Sequence, residues 1–189
     1  MQDSIKILTL DAYGTPVQWS SVRKYAYHVA KGNIIWTKGE TELRMHGGVD
    51  RNGKQTVVEL PTIIGVKGHA APTYRAAIAL SKDTLVIRDR HTCAYCGKQF
   101  RKEDLRMEHI HPESRGGLFN WKNIVAACEP CNSRKAARTP EEAKMPLLFV
   151  PYVPDPYEAL IMRNRNILAD QMEFLLAGVQ KKSRLHPGH

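Results

Sequence analysis

The chain has 189 residues, of which 42% are hydrophobic and 25% are charged, and this composition excludes an intrinsically disordered chain. Its formal net charge of +9 and isoelectric point near 9.5 favour an acidic polymer as partner, because lysine and arginine neutralise phosphates and release condensed counterions. No window reaches eighteen apolar residues and the first residues lack the apolar core of a signal peptide, so we expect a soluble, intracellular (cytoplasmic) protein with no membrane partner.

Residues 1–80 predict a small α+β module. A strand ending in a turn is predicted at 5–14, and a helix with a serine cap and a glycine stop at 19–32. Further strands are predicted at 33–37 and 55–66, with a polar, glycine-rich stretch between them. The sequence assigns this module no role.

Residues 81–148 predict a second domain. Ser81 can cap a helix over 82–89, and a helix over 130–138 follows the last cysteine. Thr139 and Glu142 have the spacing of a capping box for one more short helix.

Residues 149–189 predict a proline-rich linker over 149–155 and a C-terminal helix. The apolar residues over 156–179 have the spacing of one amphipathic helix. Packing of this helix against the body of the protein and pairing with a second copy, as a homodimer, are both compatible with that pattern.

The four cysteines form two Cys-x-x-Cys pairs, separated by 31 residues: Cys93, Cys96, Cys128 and Cys131. Unrelated thiols or a redox pair are the alternatives, but every cysteine is used and no thioredoxin-like pattern surrounds either pair. Two such knuckles brought together present four sulfurs to one ion, which predicts a structural Zn²⁺ site. Metal binding supplies roughly 10 kcal/mol to the folding of a small domain.

The residues between the knuckles need a separate explanation, because a four-sulfur site requires no histidine. Strand alternation over 105–112 places Glu108 and Ile110 on one side, and Met107, His109 and His111 on the other. Glu108 and His109 are therefore expected to face different directions.

This part of the chain resembles the HNH, or ββα-metal, nuclease family in its zinc-stabilised form. The similarity covers about residues 81–148 and implies an α+β fold in which a ββα-metal core holds the structural four-cysteine zinc site, preceded by the small module and followed by the C-terminal helix. The family's features occur in order as Glu108-His109, Pro112, Ser114-Arg115-Gly116-Gly117, Trp121-Lys122-Asn123 and Cys128-Glu129-Pro130-Cys131-Asn132, with Lys135 one turn later.

The resemblance implies a metal-dependent DNA endonuclease, a phosphodiester hydrolase that nicks DNA or cuts both strands. His109 would be the general base that activates water. Glu108 and Asn132 would hold one catalytic Mg²⁺ or Mn²⁺ through oxygen ligands, as these ions prefer. Asn123 would orient the His109 ring through a backbone contact.

Two basic residues, Arg115 and Lys135, are implied to contact phosphate. His111 is not a standard catalytic position of the family, and it is expected to be structural or to contact metal or substrate.

Two positions depart from the family pattern. Glu108 stands where Asp is usual, and the added methylene shifts a metal ligand by about an ångström in a reaction that depends on positioning. Asn132 stands where His is usual, and it still offers a carbonyl oxygen. The alternative to an active enzyme is therefore a catalytically inactive zinc-ribbon module that binds nucleic acid. A role in RNA processing or in protein interaction is a third class.

Overall fold

The computed structural model describes residues 6–39, 43–68 and 78–186, and the chain divides into two compact units. The first unit comprises Met1–Ala76 and Asn164–Gly178, and the second comprises Ala77–Arg163 and Val179–His189. The C-terminal residues, which the sequence predicts as a separate segment from 149 onwards, are thus divided between the two units. Among the described residues, no helix combines the length and the apolar character needed to cross a membrane.

A four-stranded sheet is the centre of the first unit. Its strands, in spatial order, are β2 (Pro16–Ser20), β1 (Ile7–Leu10), β6 (Ile63–Val66) and β3 (Ile34–Lys38). β1 runs parallel to β6, and the two outer pairs are antiparallel. All four residues of β1 are buried, as expected for a central strand, and the hydroxyl of its one polar residue, Thr9, is hydrogen-bonded to that of Ser20 at 2.7 Å.

The helix of this unit, α1, spans Val22–Ala30. Ser21 caps it, since its Oγ accepts a hydrogen bond from the Lys24 N–H at 3.3 Å, and the chain leaves the helix through Gly32 at a φ of +59°. The predicted caps are therefore confirmed. The prediction that the helix starts at Trp19 was wrong, because Trp19 lies in β2.

A separate two-stranded hairpin pairs β4 (Leu43–Val49) with β5 (Gln55–Leu60). Asp50 organises the connecting turn, since its Oδ1 accepts hydrogen bonds from the N–H groups of Asn52 and Lys54 at 2.8 and 2.9 Å. The sequence predicts no strand at β4, where two consecutive glycines interrupt the apolar pattern. The sequence also predicts one strand over 55–66, where the structure has β5 and β6 separated by Pro61 and Thr62.

The predicted single helix over 156–179 was wrong. The structure has α4 (Pro156–Arg163) and α5 (Ala169–Gly178) instead, with irregular chain between them. Asn164 lies in this break and accepts a hydrogen bond from the Asn166 N–H at 3.1 Å, a side-chain bond that competes with the helical ladder. Gln171 of α5 donates to the carbonyls of Lys6 and Thr62 at 2.9 and 2.8 Å, so α5 packs against the sheet of the first unit.

The second unit is built on a short hairpin and three helices. The hairpin pairs β7 (Leu105–His109) with β8 (Ile124–Cys128), and the helices are α2 (Lys82–Arg88), α3 (Glu129–Lys135) and α4. Ser81 and Thr84 form a reciprocal capping box at the start of α2, which confirms the predicted cap. The apolar core of the unit comprises Ile78, Leu85, Val86, Leu105, Trp121, Ile124, Ala126, Ala159 and Met162.

A buried ion pair connects α2 to this hairpin. Arg88 and Asp89 are fully buried, with Arg88 Nε 2.8 Å from Asp89 Oδ1. Arg88 also donates to the carbonyls of Trp121 and Ile124 at 2.6 and 2.8 Å, while Asp89 accepts from the Ala126 N–H at 2.8 Å. Burial raises the pKa of Asp89, and its hydrogen bond with Arg88 opposes that shift.

The capping box predicted at Thr139 forms, but the short helix does not. The Glu142 N–H donates to Thr139 Oγ1 at 3.3 Å, and the Thr139 N–H donates to Glu142 Oε2 at 3.0 Å. The chain then makes only a turn over 140–144, because Lys144 adopts the left-handed conformation at a φ of 54° and Pro146 follows.

Candidate functional site

The hairpin and the helix after it place the sequence-predicted residues close together. In the β7–β8 register, Leu105 lies opposite Cys128, Glu108 opposite Val125 and His109 opposite Ile124. Cys128 is both the last residue of β8 and the N-cap of α3. The order is therefore strand, strand, helix, with one cysteine pair where β8 meets α3.

The four cysteines converge on one point. The Sγ atoms of Cys93, Cys96, Cys128 and Cys131 all lie within 4.8 Å of one another. A tetrahedral zinc with Zn–S distances of about 2.3 Å separates its sulfurs by about 3.8 Å, and the Cys96 and Cys128 sulfurs are 3.9 Å apart. The cluster thus fits a four-coordinate structural zinc, as predicted from the spacing.

The first knuckle has the turn geometry expected for such a site. The Gly97 N–H donates to the Cys93 carbonyl at 3.0 Å, and Gly97 has a φ of +71°, a left-handed conformation that glycine adopts without steric cost. Burial raises the pKa of the Cys93 thiol, but hydrogen bonds from the backbone N–H groups of Cys128, Cys96 and Tyr95 outweigh it and bring the pKa to about 7. At Cys93 the backbone therefore favours the thiolate that zinc requires, whereas burial raises the pKa of the Cys128 and Cys131 thiols.

Glu108 and His109 face different directions, as the alternation predicts. Glu108 is buried towards α3, where Lys135 Nζ lies 2.6 Å from its Oε1. The same ammonium donates to the His109 carbonyl at 2.7 Å. Lys135 is fully buried, so the implied contact between its side chain and a phosphate does not fit this placement. Its charge is directed at Glu108 instead.

The His109 ring is half-buried beside an aromatic residue. Its centroid lies 6.1 Å from that of Phe119, with the two ring planes at 52°. His109 Nε2 is buried and has no hydrogen-bond partner among the described residues. Because a buried polar nitrogen without a partner is costly, this atom needs a partner from outside the described protein groups.

Asn123 holds the chain that follows His109. The His111 N–H donates to Asn123 Oδ1 at 2.9 Å, and Asn123 Nδ2 donates to the carbonyls of His111 and Leu118 at 3.1 and 2.9 Å. Its own carbonyl accepts from the Ile110 N–H at 2.8 Å. Asn123 therefore holds the backbone of the residues after His109, and its role in orienting the His109 ring stays a prediction.

His111 and Arg115 lie in the loop after β7. The exposed His111 ring has Nε2 3.0 Å from the Arg115 carbonyl. The guanidinium of Arg115 is half-exposed, and its Nη1 lies 2.8 Å from both carboxylate oxygens of Glu142. The hydrogen bond from Arg115 lowers the pKa of Glu142.

Asn132 is half-buried on α3, three residues before Lys135. Residues three apart lie on the same face of a helix. Since Lys135 contacts Glu108, Asn132 lies on the face of α3 that is turned towards the end of β7.

The arrangement thus defines a ββα hairpin–helix core with a four-cysteine zinc site. Residues 93–148 match the model of a family described as HNH endonuclease, which confirms for this segment the resemblance drawn from the sequence. The match spans less than half of the chain, and no curated protein matches the chain. An HNH endonuclease domain indicates nuclease activity, with a nucleic acid as substrate.

Sequence reasoning missed Leu118 and Phe119, two large exposed apolar residues directly after Gly116 and Gly117. The signal available was an apolar pair inside a glycine-rich loop, where polar residues are usual. The sequence also gave no indication that Lys135 is buried, because a lysine in the last turn of a helix is usually exposed to solvent.

Proposed function

We propose that this protein is a metal-dependent DNA endonuclease that hydrolyses phosphodiester bonds and leaves 5′-phosphate and 3′-hydroxyl ends. The observation that supports the proposal is the HNH match over residues 93–148, a segment in which Glu108 and His109 end β7, which pairs with β8, and lie between the two Cys-x-x-Cys pairs in the sequence. The net charge of +9 supports a polyanionic substrate.

His109 is the general base in this proposal and takes a proton from the attacking water. Two features support the role: the ring is half-buried, and its Nε2 has no protein partner in the described part of the chain. A positioned imidazole is suited to the task because its neutral ring nitrogen can accept a proton from water within hydrogen-bond distance.

Glu108 and Asn132 would hold one Mg²⁺ or Mn²⁺, which would neutralise charge on the phosphate and stabilise the leaving oxygen. Their side chains fit such an ion in donor type, as a carboxylate and an amide carbonyl. Both lie where α3 passes the end of β7. Lys135 donates a hydrogen bond to Glu108 Oε1. Glu108 Oε2 is therefore the oxygen that would bind the metal.

The remaining residues of the site would keep these groups in place. A zinc ion held by the four cysteines would join the segment before β7 to the junction of β8 and α3, and Asn123 fixes the chain after His109. Arg115 would contact a phosphate of the substrate after its ion pair with Glu142 breaks. Such preorganisation matters because a misplacement of about 1 Å can reduce a rate on the order of 100-fold.

One observation favours the alternative, a catalytically inactive zinc module that binds nucleic acid. Lys135 neutralises Glu108 at 2.6 Å and repels a divalent ion at the same carboxylate. This module would bind DNA in a salt-dependent manner without cutting it.

A metal series separates the two functions. Supercoiled plasmid would be incubated with the zinc-loaded protein and Mg²⁺ or Mn²⁺, with matched RNA as a second substrate. Nicked or linear plasmid that appears only with the added ion supports the endonuclease. DNA binding without cleavage in either ion would establish the inactive module, and cleavage of RNA alone would overturn the choice of DNA.

A further inference from the structure

Two large apolar side chains are exposed in the loop after β7, and one of them, Phe119, lies beside the proposed general base. Leu118 is 70% exposed and Phe119 is 57% exposed. The Phe119 ring lies with its centroid 6.1 Å from that of His109. An exposed aromatic residue beside a candidate site is more informative than a scattered one, because it can contact whatever the site binds.

The backbone holds this pair in place. Gly116 has a φ of +85°, and a Cβ on Gly117 would collide with the His111 carbonyl oxygen, so both positions require glycine. The Gly117 N–H donates to the Pro112 carbonyl at 3.0 Å, and Asn123 Nδ2 donates to the Leu118 carbonyl at 2.9 Å. The same asparagine bonds the backbone of His111, so the apolar pair and the chain after His109 share one anchor.

The position of the Phe119 ring beside His109 indicates which chemical group it would contact. A phosphodiester that reacts at His109 brings the flanking nucleotides within reach of Phe119, since successive nucleotides in a strand are spaced by about 3.4 Å along the helix axis. A nucleobase presents an apolar face of the right size to an aromatic ring, and such stacking tolerates any base sequence.

We propose that Phe119 is a substrate-binding residue that stacks on a nucleobase flanking the cleaved phosphodiester. This inference rests on the proposed function, since it takes its ligand from the phosphodiester substrate. The stack requires a base that has left the duplex stack, so the contribution of Phe119 is largest on single-stranded DNA.

The experiment measures binding apart from cleavage. Zinc-loaded wild-type protein and its Phe119 variants are titrated into a fluorescein-labelled single-stranded oligonucleotide of mixed sequence and into the matching duplex. Divalent ions are omitted and the salt concentration is varied. Val150→Ala is the matched control, because Val150 is an 84% exposed apolar residue of the same unit.

Phe119→Ala is expected to weaken single-strand binding by about 5- to 150-fold, the range for loss of one base–aromatic stack. Phe119→Tyr should bind like wild type, whereas Phe119→Leu should bind like Phe119→Ala because it lacks a π face. The dependence of affinity on salt should be unchanged, since no phosphate contact is removed. Val150→Ala should bind like wild type.

Wild-type affinity in Phe119→Ala, or in Phe119→Leu, overturns the stacking inference and leaves the proposed function standing. Failure of the wild-type protein to bind either probe overturns both. If Phe119→Ala loses zinc or fails to fold, the comparison of Phe119→Tyr with Phe119→Leu still tests the stacking inference. Equal single-strand affinities for these two variants would overturn it.

Discussion

One buried ammonium holds both members of the Glu108–His109 pair. Lys135 Nζ lies 2.6 Å from Glu108 Oε1 and donates to the His109 carbonyl at 2.7 Å. Burial of a charge is tolerated only with a close partner, so each side chain of the Lys135–Glu108 pair stabilises the other. The pair fixes the end of β7 against the last turn of α3.

The first prediction concerns this pair. Lys135→Met keeps most of the length of the unbranched side chain and removes its charge, which leaves the Glu108 carboxylate buried without a counter-charge. We expect a loss of about 3–5 kcal/mol in the free energy of unfolding, measured by urea denaturation. The double variant Glu108→Gln with Lys135→Met should recover much of it, because no charge then remains buried.

Lys122→Met is the control for Lys135→Met, since Lys122 is exposed in the same unit. Its effect should stay within about 0.5 kcal/mol. Equal stability losses for the two lysine variants would show that the buried pair has no special role.

The second prediction concerns zinc. The purified protein should contain one zinc per chain, and Cys128→Ser or Cys131→Ser should lose it and unfold the second unit, because metal binding contributes roughly 10 kcal/mol to such a domain. Zinc content by atomic absorption and limited proteolysis of residues 77–163 would measure both effects. A folded second unit in either serine variant would contradict a structural role for the metal.

The third prediction concerns Asn123. Asn123→Ala removes three hydrogen bonds to the backbone of the loop, and we expect a loss of about 1–3 kcal/mol of stability. Asn123→Asp keeps the acceptor for the His111 N–H but cannot donate to either carbonyl, so its effect should be similar in sign and still substantial. Chemical denaturation of both variants would check this. Wild-type stability in Asn123→Asp would mean that the two donated bonds contribute nothing.

The fourth prediction concerns the Arg115–Glu142 contact. Glu142→Gln should release Arg115 to bind phosphate, so DNA affinity should rise and the salt dependence of binding should steepen by about one counterion. Glu141→Gln is a matched control, because it removes the same charge at the adjacent exposed position. Fluorescence anisotropy across a salt series measures both variants. Identical affinities for the two would mean that the Arg115 contact does not limit DNA binding.

The sequence predicted the zinc cluster because such a site depends on residue type at a fixed spacing, and the resemblance to the HNH family implied the hairpin–helix core. Four cysteines in two pairs have few other uses, and Glu108 and His109 alternate on a strand that was visible in the apolar pattern. The burial of the Lys135 side chain could not be predicted in the same way. Its burial depends on how α3 packs against β7, and no local pattern records that packing.

The same distinction explains the errors elsewhere in the chain. The strand β4 has two adjacent glycines and pairs only because β5 lies beside it. The break between α4 and α5 depends on side-chain bonds such as that of Asn164, which compete with the helix. At Thr139 the local capping signal was right, and the left-handed Lys144 ended the turn before a helix could form.

The most direct test of the proposed function is the plasmid-cleavage rate of His109→Ala relative to wild type, at equal zinc content and in the same Mn²⁺ or Mg²⁺ buffer. A general base contributes roughly 100- to 10,000-fold to a rate. We predict metal-dependent cleavage by the wild-type protein and a loss of at least about 100-fold in His109→Ala, with zinc and fold retained. Equal cleavage by the two proteins would contradict the assignment of His109, and no cleavage by a zinc-loaded wild-type protein would contradict the endonuclease itself.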